Sequence, residues 1–118
     1  MDGYKFQRLE VYQLGLEYLD NLYEIIHHYP KLEEFNLKSQ TIRAGTSIVL
    51  NIAEGSTGLS DAEQSRFLTM SIRSFLETAA CLDIAERREY LNASTLKSIR
   101  RKGKTLFVKL CRFRNSLR

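Results

Sequence analysis

The amino-acid sequence predicts an all-α protein that folds as an antiparallel four-helix bundle. Apolar residues recur at intervals of three and four along four long segments, which is the repeat of helices that bury one side. Short helix-breaking stretches at residues 31–36, 55–58 and 90–94 separate these segments. A chain of 118 residues suits one domain, here predicted to span residues 1–118. Because short connections place consecutive helices side by side, an antiparallel arrangement is expected.

The first predicted helix carries two adjacent apolar rows and ends at Tyr29-Pro30, because proline disfavours helical geometry in the residue before it. The row interpreted as the bundle stripe contains Leu9, Tyr12, Leu16, Leu19, Tyr23 and Ile26. The row on the neighbouring face contains Val11, Leu14, Tyr18, Leu22, Ile25 and Tyr29. Two rows exceed what one neighbouring helix needs, so their width favours self-association, although a four-helix core also uses wide apolar faces.

The second predicted helix, residues 37–54, has many β-branched residues that would also suit a strand, but the spacing of its polar residues favours a helix. Those polar residues form one line on an otherwise apolar helix, together with one carboxylate from the third helix. We predict a structural polar network, with a ligand or catalytic site as the weaker alternative, in which an arginine pairs with carboxylates. Its members are Arg43, Ser47, Asn51, Glu54 and Glu77.

The third predicted helix begins with a capping box, in which Ser60 accepts a hydrogen bond from a free backbone amide and Glu63 reaches back. It extends to about Glu89. The fourth covers residues 95–116, with Ser94 as its expected N-cap. Its apolar seam alternates at three and four residues throughout and consists of Leu96, Ile99, Gly103, Leu106, Leu110, Phe113 and Leu117.

The charge is strongly asymmetric along the chain. Residues 91–118 contain nine Lys or Arg and no Asp or Glu, whereas residues 1–90 contain nine basic and fourteen acidic residues. The basic residues, the candidate nucleic-acid-binding set, are Lys97, Arg100, Arg101, Lys102, Lys104, Lys109, Arg112, Arg114 and Arg118. A surface helix normally mixes both signs, so this excess favours binding of nucleic acid or an acidic protein over simple solubilisation. An anionic membrane is disfavoured because the bundle core needs the apolar seam.

Several classes of function find no support in the residues. No apolar run is long enough to span a membrane, and residues 1–8 lack a signal core, which favours a cytoplasmic location. Cys81 and Cys111 are interpreted as small apolar groups, and His27 and His28, adjacent on a helix, point apart and cannot chelate together. The turn at residues 55–58 lacks the lysine of a phosphate-binding loop. We therefore expect no catalytic residues, no metal site, no cofactor and no enzymatic activity.

Several motifs occur in an order and spacing shared with one known family. They are Leu9-Glu10-Val11-Tyr12, then Tyr29-Pro30 with Glu33, Phe35, Leu37 and Gln40, the run Ser-Ile-Val-Leu-Asn-Ile-Ala-Glu-Gly at residues 47–55, and Glu63, Arg66-Phe67-Leu68, Ser74 and Glu77. Over residues 6–90 the chain resembles the 23S rRNA intervening-sequence proteins, and Asn-Ile-Ala-Glu-Gly is the most specific segment. It departs at Tyr12, Ser71 and Arg73, where the family more often has Trp, Ala and Gly. Arg73 places a large cation where a small residue would suit tight helix contact.

The resemblance implies a bacterial up-down four-helix bundle that assembles as a ring-like homopentamer and is encoded within ribosomal RNA intervening sequences. A related branch, the accessory subunits of diversity-generating retroelements, is basic and binds nucleic acid as the partner of a reverse transcriptase. Together with the basic helix, this implies a non-enzymatic homo-oligomer that binds nucleic acid, RNA ahead of DNA. The alternative is a structural or protein-interaction oligomer whose basic helix pairs with an acidic protein.

Overall fold

A computed structural model describes residues 3–58 and 60–117 of the chain. The four α-helices are α1 (Glu10–Ile25), α2 (Leu37–Gly55), α3 (Asp61–Arg87) and α4 (Ala93–Ser116). Three short 3-10 turns precede or follow α1, at Lys5–Arg8, Ile26–His28 and Lys31–Glu33. The described ranges contain no β-strand. The prediction of an all-α protein with four helices is therefore confirmed.

Each helix packs against two others, with α1 between α2 and α4 and with α3 between the same two helices. All four contribute to one continuous apolar core, as in a four-helix bundle. Its most deeply buried apolar side chains are Tyr18, Leu22, Leu37, Ile48, Ile52, Leu68, Leu82, Ala85, Leu106 and Leu110.

The row of α1 that faces the core is not the one expected. Val11, Tyr18, Leu22 and Ile25 are buried, so the second apolar row packs inward. Residues of the first row are half-buried or exposed, and Tyr23 is 48% exposed. The interpretation of the first row as the bundle stripe is thus wrong. Gly15 of α1 and Gly45 of α2 lie where these helices pack closely, since a Cβ atom at Gly15 would lie 3.4 Å from Val49 and one at Gly45 would lie 2.6 Å from Leu22.

The N-terminal cap of α3 is the predicted residue, whereas that of α4 is not. Ser60 caps α3, its Oγ accepting a hydrogen bond from the Glu63 amide at 3.0 Å. The Glu63 carboxylate, expected to reach back to Ser60, accepts from the guanidinium of Arg66 with both oxygens, at 2.7 and 3.2 Å. At α4 the cap is Asn92 and not Ser94, since Asn92 Oδ1 accepts from the Thr95 amide at 2.8 Å. The fourth helix consequently begins two residues earlier than predicted.

A buried carboxylate joins the loop before α2 to the loop after α3. Glu33 is only 6% exposed, and its Oε2 accepts a hydrogen bond from the Tyr90 hydroxyl at 2.7 Å. Its Oε1 accepts from the Asn36 side chain at 3.1 Å and the Leu37 amide at 3.3 Å. These hydrogen bonds, that from Tyr90 foremost, hold the pKa of Glu33 below its ordinary value. We call this contact between the two loops the Glu33–Tyr90 clasp.

Two departures from the family pattern, Ser71 and Arg73, are accommodated by the fold of the single chain. Ser71 is fully buried, and its hydroxyl donates to the Ile48 carbonyl oxygen at 2.8 Å, so its polar group is satisfied. Arg73 is exposed and does not lie in a tight helix contact. The expected crowding at Arg73 is therefore absent.

Candidate nucleic-acid interface

One side of α4 is committed to the core. Leu96, Ile99, Gly103, Leu106 and Leu110 are all buried, which confirms the predicted seam. Phe113 and Leu117 continue it as half-buried residues. The opposite side of the helix must then face outward, because an α-helix turns 100° per residue.

At Gly103, α4 packs closely against its neighbours. A Cβ atom at this position would lie 3.0 Å from Tyr18 Cε1 and 3.1 Å from Phe75 Cε1. The Tyr18 ring is fixed, since its hydroxyl forms a buried 2.9 Å hydrogen bond with Thr78 Oγ1. A methyl group here would lie closer to the two rings than carbon atoms normally pack, so Gly103 allows the close packing of α4 against α1 and α3.

Four basic residues occupy the outward face of α4, and we call them the outer row. They are Lys97, Arg101, Lys104 and Arg112. All four are exposed, and none takes part in an ion pair within residues 3–58 and 60–117. Their charge is available to a ligand without first separating from a carboxylate.

Two further cations at the margins of α4 are paired with acidic residues of other helices. The Arg100 guanidinium lies 2.9 Å from both Asp83 Oδ1 and Glu86 Oε1 of α3. Hydrogen bonding to Glu86, then to Asp83, raises the pKa of Arg100. Lys109 Nζ lies 3.3 Å from Glu10 Oε1 of α1. These ion pairs join the edges of α4 to α3 and α1. The predicted basic set therefore contains two cations paired with acids at the edges of α4, and the unpaired outer row.

The remaining predicted cations lie around these two groups. Lys102 is exposed and Arg114 is half-buried, whereas Arg118 lies outside the described residues. A groove of about 560 Å³ runs along the outer face of α4. Its lining consists of Arg100, Arg101, Lys104, Thr105, Val108, Lys109 and Arg112. Five of these seven residues are cations and none is acidic, so an anion in the groove would meet several positive charges at once.

The structural polar network assembles only in part. Asn51 Nδ2 donates to the Ser47 carbonyl oxygen at 2.9 Å and to Ser47 Oγ at 3.0 Å. Ser74 Oγ of α3 donates to Ser47 Oγ at 2.9 Å, which links the two helices. Ser74 is not among the network residues predicted from the sequence. The helical spacing of α3 gave no signal that its hydroxyl would meet α2.

The charged members of the predicted network do not join it. Arg43, Glu54 and Glu77 are all exposed, and the ion pairs among the described residues include none of them. Arg43 and Glu77 do line a shared groove of about 420 Å³ with Ser47 and Ser74. The expected pairing of Arg43 with a buried carboxylate is thus wrong, because this line of α2 faces outward at both ends.

Other candidate sites have plain structural explanations. Cys81 is buried, and burial raises the pKa of its thiol, whereas Cys111 is half-buried. His27 and His28 are exposed. Among residues 3–58 and 60–117, no group of three or more His, Cys, Asp or Glu side chains is placed to hold a metal ion. No described helix is both long and apolar enough to cross a membrane.

Fold and surface together define a small four-helix protein whose distinctive feature is a cationic outer face on its last helix. A family model described as 23S rRNA-intervening sequence protein matches residues 7–111. The chain belongs to this family. The match covers most of α4 as well as residues 7–90 of the expected range 6–90, so Lys97, Arg101 and Lys104 lie within it and Arg112 just beyond.

The fold is also similar to a solved structure. A protein of unknown function from the S23 ribosomal protein family of Bacteroides thetaiotaomicron superposes with a TM-score of 0.80 at 24% sequence identity. The alignment covers 89% of this chain and 95% of that one. At this identity the similarity supports the fold alone. No curated protein matches the chain.

Proposed function

We propose that this protein is a non-enzymatic homo-oligomer that binds nucleic acid, RNA ahead of DNA, through the outward face of α4. The observation that carries the proposal is the outer row, in which four exposed cations lie on one helix face without a carboxylate partner in the described structure. Lysine and arginine contacts to phosphates release condensed counterions and need no sequence motif. RNA is favoured over DNA because the family description names a ribosomal RNA.

The proposed subunit is an antiparallel up-down bundle. Contacts between α2 and α3 support this direction, since residues later in α3 meet residues earlier in α2. Ser56 is hydrogen-bonded to Gln64, and Ile48 to Ser71. Further along α3, Ser74 meets Ser47.

The proposed assembly is a ring-like homopentamer, and the exposed apolar surface of the single chain supports self-association. Phe35 is 95% exposed, Leu32 75% and Leu50 61%. Tyr23 of α1 and Leu76 of α3 are about half exposed, at 48% and 50%. Large apolar side chains spread over three faces are unfavourable in water, and contacts between copies would cover them. In a ring, the outer row of each subunit would be repeated around the assembly.

The remaining parts of the proposal follow from the same chemistry. Binding by the outer row requires neither a cofactor nor a reacting group, and we place the protein in the cytoplasm, where ribosomal RNA occurs. A reverse transcriptase is a partner only where the gene accompanies a retroelement. The partners are therefore other copies of the chain and a nucleic acid.

One observation favours a second candidate, a structural or protein-interaction oligomer. Arg100 and Lys109 already pair with acids of their own chain, at 2.9 and 3.3 Å. Acidic groups can thus neutralise α4, and an acidic protein could do the same for the outer row. The two candidates differ in whether RNA binds at physiological salt.

A salt series with wild type and a charge-matched pair of variants tests the proposal. Binding of fluorescent RNA of mixed sequence is followed by anisotropy between about 50 and 300 mM salt, where each phosphate contact contributes to the slope of log Kd against log salt. The test variant replaces the outer row with glutamine: Lys97→Gln, Arg101→Gln, Lys104→Gln and Arg112→Gln. We expect loss of RNA binding with the oligomer unchanged by sedimentation.

The matched control removes four exposed cations from the other helices and loops. It carries Lys31→Gln, Arg43→Gln, Arg73→Gln and Arg87→Gln. Its net charge equals that of the test variant, so nonspecific attraction is reduced equally, yet its RNA affinity should stay much closer to wild type. Equal weakening in both variants, or no RNA binding by wild type at physiological salt, contradicts the proposed interface.

A further inference from the structure

The cations of α4 fall into two groups separated by one uncharged helical turn. Thr105-Leu106-Phe107-Val108 carries no charge, and basic residues lie on both sides of it. On the outward face, Lys97, Arg101 and Lys104 precede this turn and Arg112 follows it. The outer row is therefore interrupted, and its interruption lies in the middle of the groove along α4.

The spacing of the two groups along the helix axis is close to the width of a groove in a nucleic-acid double helix. Lys104 and Arg112 are eight residues apart, which at 1.5 Å rise per residue corresponds to about 12 Å along the helix axis. The major groove of B-form DNA, bordered by its two phosphate rows, is also about 12 Å wide. A-form RNA is recognised mainly through contacts to phosphates and 2′-hydroxyls across its wide, shallow minor groove.

The outward face lacks the groups that single-strand binding proteins use. Such proteins stack bases on exposed aromatic rings along a continuous positive channel. On α4 the aromatic residues Phe107 and Phe113 are half-buried, and the Phe107 ring packs 5.3 Å from that of Phe75. The residues that interrupt the outer row on this face are Thr105 and Val108, neither of which can stack on a base.

We propose that α4 lies across a groove of double-stranded nucleic acid, with one cation group on each of the two phosphate rows, and does not follow a single strand. This inference rests on the proposed function and specifies its ligand. Thr105 and Val108 then lie above the groove, where they form no hydrogen bond that distinguishes base pairs. The complex should depend on duplex structure and salt and be nearly independent of sequence.

A charge-conserving shift of one cation tests the spacing. Wild type, Arg112→Gln and the double variant Val108→Arg with Arg112→Gln are compared on duplexes of about 20 base pairs and on their separated strands. The double variant retains the net charge of wild type but moves the second cation to about 6 Å from Lys104, one turn along the same face. Val108 is half-buried, so helicity and melting temperature are measured alongside.

We expect wild type to bind duplex RNA or DNA more tightly than either strand. Arg112→Gln should weaken duplex binding roughly tenfold and reduce the salt slope by about one for each subunit in contact. The double variant should remain as weak on duplex as Arg112→Gln while binding single strands like wild type.

Two outcomes overturn the inference and leave the proposed function standing: equal or tighter binding of single strands by wild type, or full recovery of duplex binding in the double variant. Absence of binding to every nucleic acid overturns both proposals.

Discussion

Replacing Gly103 with alanine tests how closely α4 is packed, because two effects of similar size oppose each other. Alanine in place of glycine within a helix gains about 1 kcal/mol of helix propensity. The new methyl group would lie 3.0 Å from Tyr18 Cε1 and 3.1 and 3.2 Å from Phe75 Cε1 and Cζ. Carbon atoms normally pack at about 3.5–4.0 Å, so all three contacts are too short.

The two rings cannot easily move away from the added methyl group. Tyr18 is 2% exposed and hydrogen-bonded to Thr78, and the Phe75 ring packs against Phe107. Overpacking of this kind reduces stability by about 1–3 kcal/mol, so we expect Gly103→Ala to lower the free energy of unfolding by about 1 kcal/mol after the propensity gain.

Urea unfolding followed by circular dichroism at fixed protein concentration measures this difference. Thr105→Ala, on the outward face of the same helix, controls for propensity and should be neutral or slightly stabilising. A Gly103→Ala protein as stable as wild type or more stable would refute the reasoning, because α4 would then have room to move.

Three further predictions concern the clasp, the core and the polar line. The folded-state pKa of Glu33 is lowered, so its contribution is complete above about pH 4.5 and is lost as pH falls through that lowered pKa; thermal melts of Glu33→Gln should therefore depend less on pH in this acidic range than those of wild type. Leu106→Ala removes a fully buried side chain and should reduce the free energy of unfolding by about 2–5 kcal/mol in denaturant titrations, and a loss below about 1 kcal/mol would contradict its central position. Glu54→Gln should leave the melting temperature of the isolated subunit unchanged, since Glu54 is exposed and unpaired in the described structure; a clear decrease would indicate a partner for its carboxylate.

Sequence periodicity predicted the helices well, but it could not choose between the two apolar rows of α1. Both rows repeat at the same interval, so either could face a core. In the folded protein Gly15 lies on the buried face, where its added Cβ would contact Val49 at 3.4 Å, and Gly45 of α2 lies against Leu19 and Leu22 of α1. Such close approaches between helices are visible only once the helices are packed.

The start of α4 shows a similar limit. Asn92 and Ser94 both have side chains that can cap a helix, and each precedes a residue suited to the first turn. In the folded protein Asn92 is the cap, and the hydroxyl of Tyr90, two residues before it, donates a hydrogen bond to Glu33. That contact joins residues 57 positions apart, and no local pattern reveals it.

The cations of the candidate site could be identified from the sequence, whereas their division into ion-paired and unpaired cations could not. The absence of acids from residues 91–118 was visible directly. Which cations are neutralised depends on acids from other helices, namely Asp83 and Glu86 for Arg100 and Glu10 for Lys109. The predicted structural polar network was wrong in part for the same reason. The spacing of polar residues along α2 does not show which of them α3 will cover.

The Glu33–Tyr90 clasp also determines where extra chain can be added to this protein. An insertion or tag near either residue would separate two loops that a 2.7 Å hydrogen bond holds together. The loop between α2 and α3 is different, because Gly58 is exposed, has φ of 89°, and no described atom outside its chain neighbours lies within 4 Å of its missing Cβ. An affinity tag belongs in this loop as an insertion that keeps Gly58, because its φ of 89° disfavours any residue with a side chain.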